Sequence, residues 1–351
     1  MNNILKVSLV LLATVLAFSV SLIGCGDGEE EEAPITLKLT TVFSTASPEW
    51  GFAYEPFKNA VEENSDGRLL IELYPSGTLV PFLGSLEAAM DGIVDIAFTA
   101  PLYHLDYLPL EEVWCVPPLY KTAMGGVQTY LDLYEEYFKE GYTELGLHRI
   151  GVTISPPYWL FTKSTPIYSL EDFQGLNIRG GTAMHAEVFD ALGANTLSII
   201  STETYDALQK GTLDGAACYP QTLWAFGWYE TGTPGYIIDV GGLPSSSGIH
   251  VVNKAVYDSL PADLQEILDD AGEEYLTLDW CQDHDTAHVT SLEAMEEWGC
   301  ETIVWTSEDQ QRLKTGYSDP IIEDWVEEME ANGYPAEALV DAIIAKVSLY
   351  E

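Results

Sequence analysis

Along the chain, short apolar runs alternate with stretches in which apolar positions recur every three or four residues, the two periods that separate strands from helices. Residues 35–43 (ITLKLTTVF) read as a strand, 49–64 as a helix, and 69–75 (LLIELYP) as a second strand beyond the Asp66-Gly67 turn. A helix over 85–90, stopped at Gly92, leads into the buried strand 94–100. This rhythm predicts an α/β chain with mainly parallel sheets.

The pattern then returns. Residues 86–101 (LEAAMDGIVDIAFTAP) set on 205–220 (YDALQKGTLDGAACYP) match Ala88 with Ala207, Gly92 with Gly211, Asp95 with Asp214, Ala97 with Ala216 and Pro101 with Pro220. Each copy reads as a helix ended by glycine, a tight turn containing Asp, and a buried strand that stops at proline. Two such units imply two similar lobes. Aromatic-rich loops follow both, and because ligands of open α/β sheets sit beyond the carboxyl ends of strands, these loops outline a cleft. Residues 263–298 keep helical spacing (Leu264, Ile267, Leu268, Tyr275, Leu278, Met295) without proline, and Gly272 is the internal weak point. A helix of that length is expected to bridge both lobes. A strand over 302–305 and helices over 308–332 and 335–349 complete the chain.

Composition narrows the setting. The chain has 351 residues, 47% of them hydrophobic, enough for a sizeable core and about two domains. The formal charge is −42, which disfavours nucleic acid and anionic membrane surfaces as partners and reads as a solvated surface. At the N-terminus, Lys6 precedes an apolar run over 7–23 and then Leu22-Ile23-Gly24-Cys25, which resembles a bacterial lipoprotein signal. Residues 1–24 are then a signal peptide, Cys25 the lipidated anchor, and the acidic stretch 25–34 a tether holding the folded part outside the cytoplasm. An uncleaved membrane anchor is the alternative.

Four further cysteines remain: Cys115, Cys218, Cys281 and Cys300. An unbroken helix would set Cys281 about 25 Å from residue 298, too far for a disulfide with Cys300. Cys115 with Cys218 and four free thiols both stay open. Cys281, His284 and His288 share one helix face at a spacing that fits a metal, yet a polar stripe on a long exposed helix accounts for them, and no metal or other cofactor is expected.

The most informative stretch is 169–215. It places Arg179 directly before Gly180, Gly181 and a helical pattern, so a guanidinium meets a helix N-terminus that also favours anions. With only four arginines in so acidic a chain, a cation kept among Leu176, Ile178 and two glycines reads as a carboxylate trap; the structural alternative is an ion pair with a nearby Asp or Glu. GRLLIELYPSGTL, LEAAMDGIVDIAF, LEDFQGLNIRGG, LGA, ETYDALQKGTLDG and LPADLQEIL follow one another from about 37 to 268. In that order they resemble the solute-binding subunit of tripartite ATP-independent periplasmic (TRAP) transporters, the dicarboxylate-receptor-like family. The resemblance implies a two-lobed periplasmic-binding-protein-like (type II) fold whose lobes are joined by crossing strands and share a long helix. Residues 35–155 with 245–282 form one lobe, and 156–244 with 283–351 the other. It further implies that the family's carboxylate-pairing arginine falls on Arg179.

The chain departs from the family's pattern where a second arginine is common, reading PPYWLFTKS with Tyr158 and Trp159. Polar residues after the Asp-Gly step become Cys218 and Tyr219; Phe43, Phe82 and Ala100 face the ligand from the first lobe, and Trp224 follows on an aromatic loop. These replacements imply a monocarboxylate with an apolar or aromatic body. The expected function is a non-enzymatic binding protein that delivers a small organic acid to the TRAP membrane permease. A ligand-sensing subunit for a membrane receptor is the alternative, and an exported enzyme is disfavoured because hydrolase, metalloprotease, P-loop and dinucleotide-binding motifs are absent from the sequence.

Overall fold

The computed structural model of the chain describes residues 33–232 and 235–351. The expected signal peptide, the expected lipidation site Cys25 and all but the last two residues of the expected tether lie outside them. Residues 35–351 gather into one compact unit built on two sheets. Strands β1 (Ile35–Thr40), β2 (Leu69–Tyr74), β3 (Ile96–Thr99) and β4 (Leu147–Ile154) begin the first sheet. Then β5 (Tyr158–Thr162), β6 (Asn177–Gly180), β7 (Asn195–Ser198), β8 (Gly215–Cys218) and β9 (Tyr236–Leu243) form the second; β10 (Ser247–Asn253) returns to the first and β11 (Glu301–Val304) to the second. The orders are β2-β1-β3-β10-β4 and β11-β9-β5-β8-β6-β7. Within each sheet one strand runs against its neighbours, β10 in the first and β5 in the second, and both are strands that have just crossed over.

Helices α1 (Glu55–Asn64), α2 (Ser85–Met90), α3 (Ala183–Ala191), α4 (Ser201–Lys210) and α5 (Pro220–Ala225) cover these sheets, and α6 (Ala262–Glu273) and α7 (Asp279–Trp298) make the long helix. The crossings 155–157 and 244–246 run side by side. The Ser155 N–H donates to the Ser246 carbonyl at 2.9 Å, and the Tyr158 hydroxyl lies 2.9 Å from Ser246 Oγ. Tyr120 clasps both, its hydroxyl donating to the Ser155 carbonyl at 3.2 Å and meeting the Ser245 hydroxyl. This is a two-lobed fold hinged at hydrogen-bonded strands.

The sequence repeat is a structural repeat. α2 and α4 are followed by left-handed glycines, Gly92 (φ 69°) and Gly211 (φ 74°), and then by β3 and β8. Asp95 accepts from the Lys38 N–H at 2.8 Å, and Asp214 from the Asn177 N–H at 2.8 Å, so each aspartate pins the strand beside its own. Superposing the two units by register sets Arg179 where the first lobe carries Thr40.

The long helix is continuous from 262 to 298 but takes a π turn at Glu274–Leu278. Its first part packs on α1 and β4, and its second part on α5. The π turn shifts the inward face by one residue, so the buried positions are Leu264, Leu268, Leu276, Trp280, Cys281, His284 and Met295 rather than a simple 3.6-residue series. That corrects the expectation of an exposed polar stripe: Cys281 and His284 are 0% and 4% exposed. Gly272 has a reason too. A Cβ there would come 2.1 Å from the Ile150 carbonyl oxygen, and a Cβ on Gly151 of β4 would come 2.7 Å from Leu276 Cβ, so helix and strand touch backbone to backbone. Cys115, Cys218, Cys281 and Cys300 are free and buried. Among the described residues no helix is long and apolar enough to cross a membrane.

Candidate functional site

Arg179 stands on β6, paired with Leu197 of β7 and Ala216 of β8, and is 6% exposed. Its Nε donates to the Ile199 carbonyl at 2.9 Å, Nη1 to the Ala217 carbonyl at 3.1 Å and Nη2 to Ser201 Oγ at 3.2 Å. A guanidinium has five N–H groups. Three are used, which leaves one on each terminal nitrogen, and two N–H groups on one fork can donate to a carboxylate. The cation lies 5.5 Å from the centre of the buried Trp228 ring. It folds across Gly181, where a Cβ would sit 3.0 Å from Nη1.

The structural alternative for this arginine does not hold: among the described residues no carboxylate pairs with it. Arg68 is bound to Asp263 and Arg312 to Glu171 and Asp309, while Arg149 lies over Tyr134 with Glu111 nearby. The helix N-terminus beside the guanidinium is that of α4, through Ser201, rather than that of α3, which follows Gly181. The α3 terminus is closed by its own residues, since Thr182 caps the His185 N–H and His185 Nδ1 accepts from the Thr182 N–H. Cation and α4 terminus therefore add positive potential at the same place.

From this point a row of rings leads into the first lobe. Tyr158 lies 5.2 Å from His185 and 5.6 Å from Tyr219; Tyr219 lies 5.2 Å from His284, and His284 6.3 Å from Trp280. Trp280 stacks on Phe98 at 5.9 Å and meets Phe43 at 5.3 Å, and Phe82 stacks on Phe98 at 6.0 Å. Phe43, Phe82, Tyr158 and Tyr219 are thus parts of one apolar wall. Trp159 pairs in register with Cys218 and sets its ring edge-on to His288 at 5.1 Å. Trp224 is 41% exposed and stacks on Tyr229, apart from this row, and Trp228, four residues later, takes the place beside Arg179.

The wall is electrically neutral. Burial and the Arg179 charge push His185 down to about 3, and burial takes His284 down to about 4. The Trp280 indole donates to His284 Nε2 at 3.0 Å, so the ring proton of the neutral imidazole is on Nδ1. The Cys281 thiol faces Ile154, and burial raises it to about 12. Burial also holds Tyr158 and Tyr219 in their phenol forms and raises the Cys218 thiol, with Arg179 drawing the latter partly back. Sequence reasoning missed Trp228, Ser201, His185 and Trp280, and considered His284 only as a metal ligand. Only Ser201, opening a helix after an apolar run, carried a local signal.

Elsewhere, a cavity of about 740 Å³ is lined by Asp106, Glu112, Glu187, Asp324 and Glu328. Burial, and then the neighbouring carboxylates, raise the carboxyls of Glu112 and Glu187. Such a lining repels an organic anion.

A bilobed clamp with one buried cation facing a neutral aromatic wall defines a solute-binding protein. Residues 39–328 match the family described as bacterial extracellular solute-binding protein, family 7, and the chain belongs to that family, whose members are binding subunits of TRAP transporters and not enzymes. The C4-dicarboxylate-binding periplasmic protein DctP of Rhodobacter capsulatus is 27% identical over 256 residues, 68% of this chain and 71% of that protein. Among the curated relatives it matches, the chain spans between 48% and 71% of their length. A TRAP periplasmic solute-binding protein from Desulfovibrio salexigens, solved as an open complex, superposes with a TM-score of 0.82 at 25% identity over 91% of this chain and 97% of its own. A TRAP solute-binding protein from Rhodoferax ferrireducens, in complex with copurified benzoate, superposes with a TM-score of 0.79 at 23% identity over 90% and 98%.

Proposed function

We propose that this protein captures a small monocarboxylate with an apolar or aromatic body and delivers it to a TRAP permease. What supports this reading most is the guanidinium of Arg179, which has two N–H groups left over and no carboxylate partner among the described residues, at the head of a neutral row of rings. The acid binds there bidentately. Its body lies along Tyr158, Trp159, Cys218 and Tyr219, and closure of 35–155 with 245–282 onto 156–244 with 283–351 brings Phe43 and Phe82 against it. The contrast between a dicarboxylate-binding relative and a benzoate-bound neighbour favours the aromatic side here, because the wall offers no second cation. Cys25 carries the lipid that keeps the clamp near its permease, and Cys25→Ser is expected to move the protein from the membrane to the soluble fraction.

A thermal-shift screen of small carboxylates followed by calorimetry tests the site. Benzoate-like acids are expected to raise the melting temperature, and Arg179→Ala to weaken the best ligand at least about a hundredfold, the loss expected for about 3 kcal/mol of charge-assisted hydrogen bonding. Unchanged affinity in Arg179→Ala defeats the assignment.

A further inference from the structure

Away from Arg179 the chain holds a cavity of about 390 Å³ to which the carboxylate reading gives no role. Its walls are Tyr107 and the start of the 3₁₀ turn Pro109–Trp114, the helical stretch 134–144, and residues 333–335. Glu136, Glu140 and Glu144 follow one another at four-residue spacing along one side of that stretch, and among the described residues no lysine or arginine lines the cavity. Glu111 forms the inner wall and is 1% exposed. The Tyr130 and Tyr142 hydroxyls donate to its Oε1 at 2.8 and 2.5 Å, whereas its Oε2, withdrawn from water as well, has no hydrogen-bond partner. Arg149 does not supply one. Its guanidinium lies 4.3 Å from the centre of the Tyr134 ring and 5.8 Å from that of Tyr130, and it leaves Oε2 unbonded. A desolvated carboxylate oxygen calls for a donor.

The rest of the lining favours a donor that is positively charged. Three more carboxylates stand around the cavity, and the Tyr107 and Tyr137 rings offer π surface to a cation. A metal ion is disfavoured, because among the described residues no three Asp, Glu, His or Cys side chains converge as metal ligands do. An organic cation needs no such shell and has Leu108, Pro109 and Leu110 for its apolar part. We infer that this cavity binds a small protonated amine, whose ammonium donates to Glu111 Oε2 while its stem lies against Leu108, Leu110 and the two tyrosine rings. The cavity shares no residue with the row of rings at Arg179, so the chain has a second binding site of the opposite charge preference. It stands or falls apart from the carboxylate site.

Calorimetric titration with n-butylammonium and tetramethylammonium chlorides tests the inference. The titrations are run at pH 8, where the Glu111 carboxyl, raised to about 7, is ionised. Sodium chloride at about 0.5 M screens the diffuse attraction of so acidic a chain. The wild type is expected to bind n-butylammonium saturably at one site, at least about tenfold more tightly than tetramethylammonium, which has no N–H to donate. Glu111→Gln keeps an amide oxygen for the two phenols but puts a donor where the ammonium needs an acceptor, and is expected to weaken n-butylammonium at least about tenfold and erase the preference. If that variant melts early, exposed positions carry the comparison: Glu140→Gln is expected to weaken n-butylammonium about threefold, and Glu308→Gln, outside the cavity, to leave it unchanged. Arg179→Ala is expected to bind n-butylammonium as the wild type does. Binding that does not saturate, equal affinity for the two ammonium ions, an affinity unchanged in Glu111→Gln, equal effects of Glu140→Gln and Glu308→Gln, or loss of binding in Arg179→Ala overturns the inference.

Discussion

Arg179 is set apart from the other arginines by its partners, which are two carbonyls, a hydroxyl and an indole face, none able to neutralise it. Its aim depends on Gly181. Gly181→Ala places a methyl 3.0 Å from Nη1, so the fork must tilt, and ligand affinity is expected to fall about tenfold by calorimetry with little change in melting temperature, the loss of about one charge-assisted hydrogen bond. A different buried residue contributes to the pH dependence of stability. Glu111 is 1% exposed and accepts from Tyr130 at 2.8 Å and Tyr142 at 2.5 Å, yet burial raises its carboxyl from 4.5 to about 7. Because the folded state holds that proton longer than the unfolded chain, its contribution is complete below pH 4.5 and is lost as pH rises to about 7. The gap amounts to about 3 kcal/mol. Urea unfolding at pH 5 and pH 8 is expected to show Glu111→Gln losing less stability over that interval than the wild type. The arginine was legible in the sequence because cations are scarce. Trp228 was not, since an aromatic is commonplace here and only its placement distinguishes it.

At the level of elements, the repeat was legible because both copies obey the same local chemistry: a glycine where a left-handed residue must end the helix, an aspartate that holds the neighbouring strand, and a proline where pairing stops. The long helix was legible in extent but not in face. A π turn adds one residue to a helical circuit, and the shift it causes leaves no mark in a pattern read at one fixed period. For the same reason Gly272 looked like a weak point when it is a contact. Gly272→Ala drives a methyl to 2.1 Å from a main-chain oxygen that cannot turn aside, and unfolding by urea is expected to show a loss of at least about 2 kcal/mol, at the severe end of overpacking.

For the whole molecule, charge and hinge pull on different observables. A formal charge of −42 makes the folded chain repel itself. Raising ionic strength from about 0.01 to 0.5 M shortens the screening length severalfold, so the melting temperature is expected to climb by several degrees in a scanning experiment, as it would not for a chain near neutrality. The lobes themselves were legible as a duplication and their crossing strands followed from the resemblance, while the hydrogen bonds that clasp the crossings became visible only in three dimensions, because Tyr120, Ser155, Ser245 and Ser246 come from distant parts of the chain. The guanidinium of Arg179, already wired to main-chain oxygens before any cargo arrives, needs no rebuilding when cargo comes. On the proposed reading, capture has a fixed jaw and a moving jaw, and stopped-flow trapping rates are expected to follow the swing of the second.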